Sequence, residues 1–238
     1  MSGHWNLFIL ALIAMSLARF FWKRAAQRRR QSRQDFVLGY AFPPGLLKRL
    51  EKRRPGIPPQ DQALVERALR QYFLIYLKCG QRFVSMPSQV VDDLWHEFIL
   101  YTKNYQLFCQ RAFGKFMHHT PAAALSPRRR ADNAGLRRVW RHACQEEGIN
   151  PRNPDRLPLL FALDAQLGIA DGFLYAPDCA SLRAEGSTGI YCGGDFSDSS
   201  FDGSTDGLDG DGGEGGGDGD GGGDGGSGCG GGCGGGGD

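Results

Sequence analysis

The stretch Asp61–Lys78, DQALVERALRQYFLIYLK, decides the fold class. Leu64, Val65, Ala68, Leu69, Tyr72, Phe73, Ile75 and Tyr76 recur at the i, i+3, i+4 spacing that lays one apolar stripe along an α-helix. Pro58-Pro59 precede the stretch, Asp61 stands in an N-cap position and Gly80 stops it. Upstream, Gly45–Leu50 predicts a short helix stopped by Pro55. Downstream, Ser88 predicts the N-cap of a helix striped by Val91, Leu94, Trp95, Phe98, Thr102, Tyr105, Phe108, Cys109 and Ala112, with a break near Lys103-Asn104 and an end at Gly114. Ser126-Pro127 makes an N-cap and N1 pair for a basic helix reaching Cys144, with Leu136, Val139, Trp140 and Ala143 inward. Asp155–Leu167 predicts a last helix, and Phe173–Tyr175 a short extended piece. The fold class expected is all-α, a bundle of four or five helices over residues 41–176.

The flanks do not belong to that bundle. Trp5–Trp22, WNLFILALIAMSLARFFW, carries Arg19 as its only charge. From Leu7 to Trp22 it would form a helix of about 24 Å, slightly short of a bilayer core. Trp5 and Trp22 stand where interfacial aromatics stand, and Arg19 is close enough to one end to snorkel. A cleaved signal peptide is disfavoured, because the positive charges follow the apolar run instead of preceding it. A helix lying on the membrane is the lesser alternative, since the run lacks a polar face. Lys23, Arg24, Arg28, Arg29 and Arg30 should hold the C-terminal side in the cytoplasm against anionic lipid headgroups. The expectation is a single-pass anchor of the cell membrane over 5–22, with its N-terminus outside. A basic juxtamembrane linker follows over 23–40.

A linker over 177–192 leads to a tail, 193–238, containing 24 Gly, 11 acidic residues and no Lys or Arg. Such a composition cannot bury enough apolar surface to offset ordering, so the tail is expected to be disordered. Its Asp-Gly runs lack the apolar residue that calcium-binding Gly/Asp repeats stack on, which argues against that structure. The tail also hides a charge asymmetry: the rest of the chain holds all 28 Lys+Arg against 15 of the 26 carboxylates. Seven cysteines, widely scattered and odd in number, argue for reduced thiols rather than a disulfide framework. The basic helix has Trp140 as its only interleaved aromatic, which argues against nucleic acid.

Residues able to do chemistry concentrate between Met86 and Pro121. His96, Cys109, His118 and His119 supply imidazole and thiolate, the usual zinc donors. Asp92, one turn before His96, is placed to orient its ring from behind, with Asp93 beside it expected in the same supporting role, and Asp92, Asp93 or Glu97 could add acid/base function. The spacing matches no known metal signature. On a straight helix His96 and Cys109 would point about 140° apart, so they converge only if the helix breaks. The residues therefore favour a structural reading: a core Trp95 with a hydrogen-bonded His96 beside it, Cys109 as a small buried hydrophobe and a histidine pair in a loop. A zinc site is the alternative. No nucleophile elbow, P-loop or dinucleotide fingerprint occurs.

WHEFILYTKNYQLFCQRAFGKFMHHTP, with the GGSGCGGGCGGGGD ending, resembles the glycine-rich domain-containing proteins. The resemblance covers about Ser85–Pro121 well, the tail by composition and the rest loosely. It carries over Asp93, Trp95, His96, Tyr105, Phe108, Cys109, Phe113, Gly114, His118, His119 and Pro121, and implies no reaction. The sequence by itself thus favours a membrane-anchored, non-enzymatic interaction domain with no catalytic residues assigned. A metal-dependent enzyme and a structural metal site are the competitors.

Overall fold

The computed structural model describes residues 2–119, 134–177, 190–192 and 196. Seven helices fall among them: α1 Ser2–Leu38, α2 Leu46–Arg53, α3 Pro59–Lys78, α4 Gln89–Leu100, α5 Thr102–Phe113, α6 Ala134–Glu146 and α7 Leu159–Gln166. Two three-residue strands, β1 Leu174–Ala176 and β2 Ile190–Cys192, pair in parallel with Tyr175 opposite Tyr191. The all-α expectation holds, with more helices among the described residues than expected and a first helix that runs well past residue 22. By contacts the chain divides into Met1–Leu208 and Asp209–Asp238, and the second unit lies outside the described residues.

Helix α3 is the central element. Tyr72, Phe73, Leu74, Ile75 and Tyr76 are all buried, so near Tyr72 the expected stripe widens until the helix is enclosed on most sides. Phe73 meets Phe108 at 4.9 Å, Trp95 at 6.0 Å and Phe113 at 6.1 Å, an aromatic cluster that ties α3 to α4 and α5. Asp61 is not the cap of α3; extended Pro58 is, and Asp61 sits in the first turn, where its charge still suits the helix dipole. Ser88 caps α4 as expected, accepting from the Val91 amide. The expected break falls slightly earlier, at Tyr101, and Gly114 ends α5 in the left-handed conformation.

The basic stretch 23–40 is not a linker. It continues α1, whose last turn docks on the body through buried Val37 and through Phe36 against Phe108 at 5.9 Å. The Arg70 guanidinium donates to the carbonyls of Val37, Leu38 and Tyr40 at 2.7, 3.0 and 2.8 Å, satisfying acceptors that a helix end leaves open. Arg111 stacks on Phe36 at 4.5 Å. Ahead of that dock, the described side chains from Ile9 to Ser32 are exposed.

Among the described residues no helix is long and apolar enough to cross a membrane. The transmembrane expectation for 5–22 is therefore unsupported on that criterion: Arg19 lies within the apolar run, and Lys23 and Arg24 follow it directly on the same helix. Downstream, the linker expected over 177–192 contains β2, and Phe196, expected in the disordered tail, is buried against Trp140 and Phe161. The N-cap expected at Ser126-Pro127, and the remainder of the tail, lie outside the described residues.

Candidate metal centre

The two faces of α4 do different work. Ser88, Gln89 and Val90 at its start are held by the Asp164 carboxylate, which is 1% exposed. On one face, Asp93 and Glu97 meet α2. Arg53 and Arg54 donate to Asp93 at 2.8 and 2.6 Å, and Arg49 and Arg53 reach Glu97. Asp93 is thus a structural ion-pair residue and not the ring-orienting group expected of it. On another face, one turn apart, stand Asp92 and His96.

Met117 delivers the third member. The Trp95 indole N–H donates to the Tyr105 hydroxyl at 3.2 Å, and that hydroxyl donates to the Met117 carbonyl at 2.6 Å. This relay, with buried Met117, fixes the chain after α5 so that it doubles back over α4 and brings His119 above Asp92. His119 Nε2 lies 2.9 Å from Asp92 Oδ1, and His96 Nδ1 lies 3.4 Å from Asp92 Oδ2. The imidazole rings are 4.2 Å apart, with Trp95 4.7 Å from His119 closing one side.

Asp92, His96 and His119 are the group of potential metal ligands among the described residues, with donor atoms all within 4.8 Å of one another. A tetrahedral zinc ion with bonds of about 2.0–2.1 Å spaces its ligands roughly 3.3 Å apart, so these donors, within 4.8 Å of one another and with His119 hydrogen-bonded to Asp92, would draw closer around an ion. A second observation supports the fit: His96 Nδ1 is buried and has no hydrogen-bond partner, its approach to Asp92 lacking the geometry of a bond. A buried polar nitrogen without a partner is costly unless something occupies its lone pair.

Of the four metal ligands expected from sequence, the structure brings two together. Cys109 is 0% exposed in the core, where burial pushes its thiol up and Tyr105 and the Met117 backbone are its polar neighbours. His118 is exposed and rests against Phe116 at 4.9 Å, outside the ligand group. Asp92, expected to stand behind His96, is the carboxylate that both imidazoles approach. The Asp-x-x-x-His pair, which a helix places on one face, was legible in the sequence, but with the carboxylate read as standing behind the ring.

The three donors line a cavity of about 780 Å³. Its walls include Tyr72, Phe83, Met86, Phe116 and Phe173, with Lys115 among its few charged side chains. Burial pushes the Tyr72 phenol upward, so it remains protonated as a donor, bonded to the Val84 carbonyl at 3.2 Å. Cys79 and Cys144 are pushed up to about 11 and about 12 by burial, which keeps them inert thiols.

Fold and site together define a helical domain with a two-histidine, one-carboxylate group at the mouth of an aromatic cavity. The chain belongs to the UCP032817-like family, which matches residues 32–196. That span runs from the docked end of α1 to Phe196, the last buried residue described, so the family unit coincides with the packed body. The match names a different family from the glycine-rich one that the Trp-His segment resembles, and it carries no activity. No curated protein and no solved structure matches the chain.

Proposed function

We propose that this domain is a metal-dependent enzyme in which Asp92, His96 and His119 hold one zinc-like divalent ion and leave a coordination position open to the cavity. The observation that carries the reading is the convergence of three donors, one an unpartnered buried nitrogen, on one side of an aromatic pocket. Three protein ligands plus water is the pattern of catalytic rather than structural zinc. The ion would supply Lewis acidity and lower the pKa of bound water. The chain's own residues supply the rest: aromatic walls that thin out solvent, and the Trp95–Tyr105–Met117 relay that holds His119 in place. The resemblance to glycine-rich domain-containing proteins covers His96 and His119 and is consistent with that segment being the working part. A passive interaction domain, favoured by sequence alone, leaves the lone His96 nitrogen unexplained.

Metal analysis of protein purified without an affinity tag tests this. One zinc-like ion per chain is expected, with His119→Ala, His96→Ala and Asp92→Ala each losing at least ~10-fold in affinity and Cys109→Ser retaining the ion. Substoichiometric metal in the wild type, or full retention by His119→Ala, would overturn it. If the ion is lost and the fold collapses with it, the site is a structural staple instead.

A second reading concerns α1. Ile9, Leu10, Ile13, Met15, Leu17, Phe20, Phe21 and Trp22 are between 49% and 72% exposed. A helix apolar on all sides demands a nonaqueous partner. We propose that this partner is the lipid of the cell membrane, with the N-terminus outside, the body in the cytoplasm and Lys23, Arg24, Arg28, Arg29 and Arg30 against anionic headgroups. The protein should then stay in the membrane fraction through carbonate extraction. Release by carbonate would refute insertion.

A further inference from the structure

A second cavity, of about 520 Å³, opens where the last turns of α1 approach the C-terminal end of α3 and the C-terminal half of α6. Arg30, Arg33, Gln34, Lys78, His142 and Gln145 line it, and no carboxylate is among its lining residues. The nearest acids on these elements are engaged: Glu146 binds Lys78 at 2.7 Å, and Asp35 accepts from Gln31 at 2.9 Å. His142 is held down to about 4, first by burial and then by the charges of Arg141, Lys78 and Arg82. Cations from α1 and α3 therefore act on one concave space, where low-dielectric walls focus their positive field.

We propose that this cavity binds a phosphate-type anion, gripped by Arg30 and Arg33 with Lys78 beside them. Guanidinium forks match tetrahedral oxyanions in a way surface lysines do not. Amide donors from Gln34 and Gln145 complete the lining, and an anion would draw a proton onto His142, adding a donor. Two sources share this chemistry, free phosphate and a phospholipid headgroup. Arg30 lies eight residues past Trp22 on the same helix, about 12 Å along its axis. That places the cavity within reach of the headgroup layer of a bilayer holding the apolar end of α1.

The test uses the full chain carrying His119→Ala, so that phosphate cannot act at the proposed metal ligands. Thermal unfolding is measured in a maltoside detergent at constant ionic strength, with inorganic phosphate replacing chloride. A parallel arm uses nanodiscs of phosphatidylglycerol against phosphatidylcholine. Phosphate at about ten times its Kd should raise Tm by roughly 3–6 °C. Arg30→Gln/Arg33→Gln should abolish the shift, and the charge-matched Arg28→Gln/Arg29→Gln should keep it. The His142 ring, followed by NMR, should titrate at higher pH with phosphate present. Stabilisation by phosphate identifies a free anion as ligand, and stabilisation by the anionic nanodisc alone identifies the headgroup. No stabilisation in either arm, or equal shifts in both double variants, overturns the proposal.

Discussion

Replacing Asp164 with asparagine probes the hinge between fold and site. The Asp164 carboxylate accepts from Ser88 Oγ at 2.7 Å and the Val90 amide at 3.2 Å through Oδ1. Through Oδ2 it accepts from the Gln89 amide at 2.7 Å and the Phe173 amide at 2.9 Å. Asparagine keeps the volume, so no cavity term enters, but its Nδ2 must face two donors. Two charge-assisted bonds are lost, each contributing about 1.5–3 kcal/mol, and the negative charge is removed from the N-terminus of α4 for another ~0.5–1 kcal/mol. The expected loss is about 3.5–7 kcal/mol. In urea, with a slope of about 2 kcal/mol/M, the midpoint should fall by roughly 1.8–3.5 M at unchanged slope. Ser88→Ala removes one bond and the cap, and should lose about 1–2 kcal/mol. The double variant should be less destabilised than the sum, because the two share a bond. Since Asp92 sits in the first turn of the helix this carboxylate anchors, zinc affinity should weaken in Asp164→Asn even where the protein remains folded. A stability change under ~1 kcal/mol would refute the assignment of Asp164 as the anchor of α4.

Three further perturbations follow from the same geometry. A methyl at Gly135 would stand 2.5 Å from Ser85 Oγ and 2.9 Å from the Ser85 amide, so Gly135→Ala should destabilise by about 1–3 kcal/mol through overpacking and lower Tm accordingly. His142 is held at about 4 against an ordinary 6.5, so the folded state binds fewer protons than the unfolded state between those values. Stability is then complete above pH 6.5 and falls as the pH drops toward 4, by at most ~3 kcal/mol and less after solvent screening; His142→Gln should flatten that part of the urea-midpoint profile, and an unchanged profile would contradict it. Cys79, Cys109 and Cys144 are buried with thiols pushed upward, so at a pH of about 8 they should resist iodoacetamide in native protein and react in urea, as read by peptide mass spectrometry.

The all-α class, the bounds of α2 and α3 within a few residues, the Ser88 cap and the stop at Gly114 were legible in the sequence. Each depends on local rules, the 3.6-residue period and the chemistry of helix ends, that need no partner to operate. The candidate ligand group was half legible. His96 and its segment stood out by composition, but periodicity treats Asp92 and Asp93 as near equals, and only packing against α2 gave Asp93 to Arg53 and Arg54 while leaving Asp92 to the histidines. Cys109 was a candidate ligand by residue type, but the reading the residues favoured, a small buried hydrophobe, is the one the packing shows. His119 reached the site through a relay of bonds spanning residues 95 to 117, which no local pattern encodes. Likewise 23–40 read as a linker because charge dominates it, whereas Val37, Phe36 and the Arg70 clamp decide that it docks as helix. Local sequence determines what each segment prefers when alone; which of two adjacent side chains faces which neighbour is set by long-range burial and charge pairing, and those exist only once the chain has closed on itself.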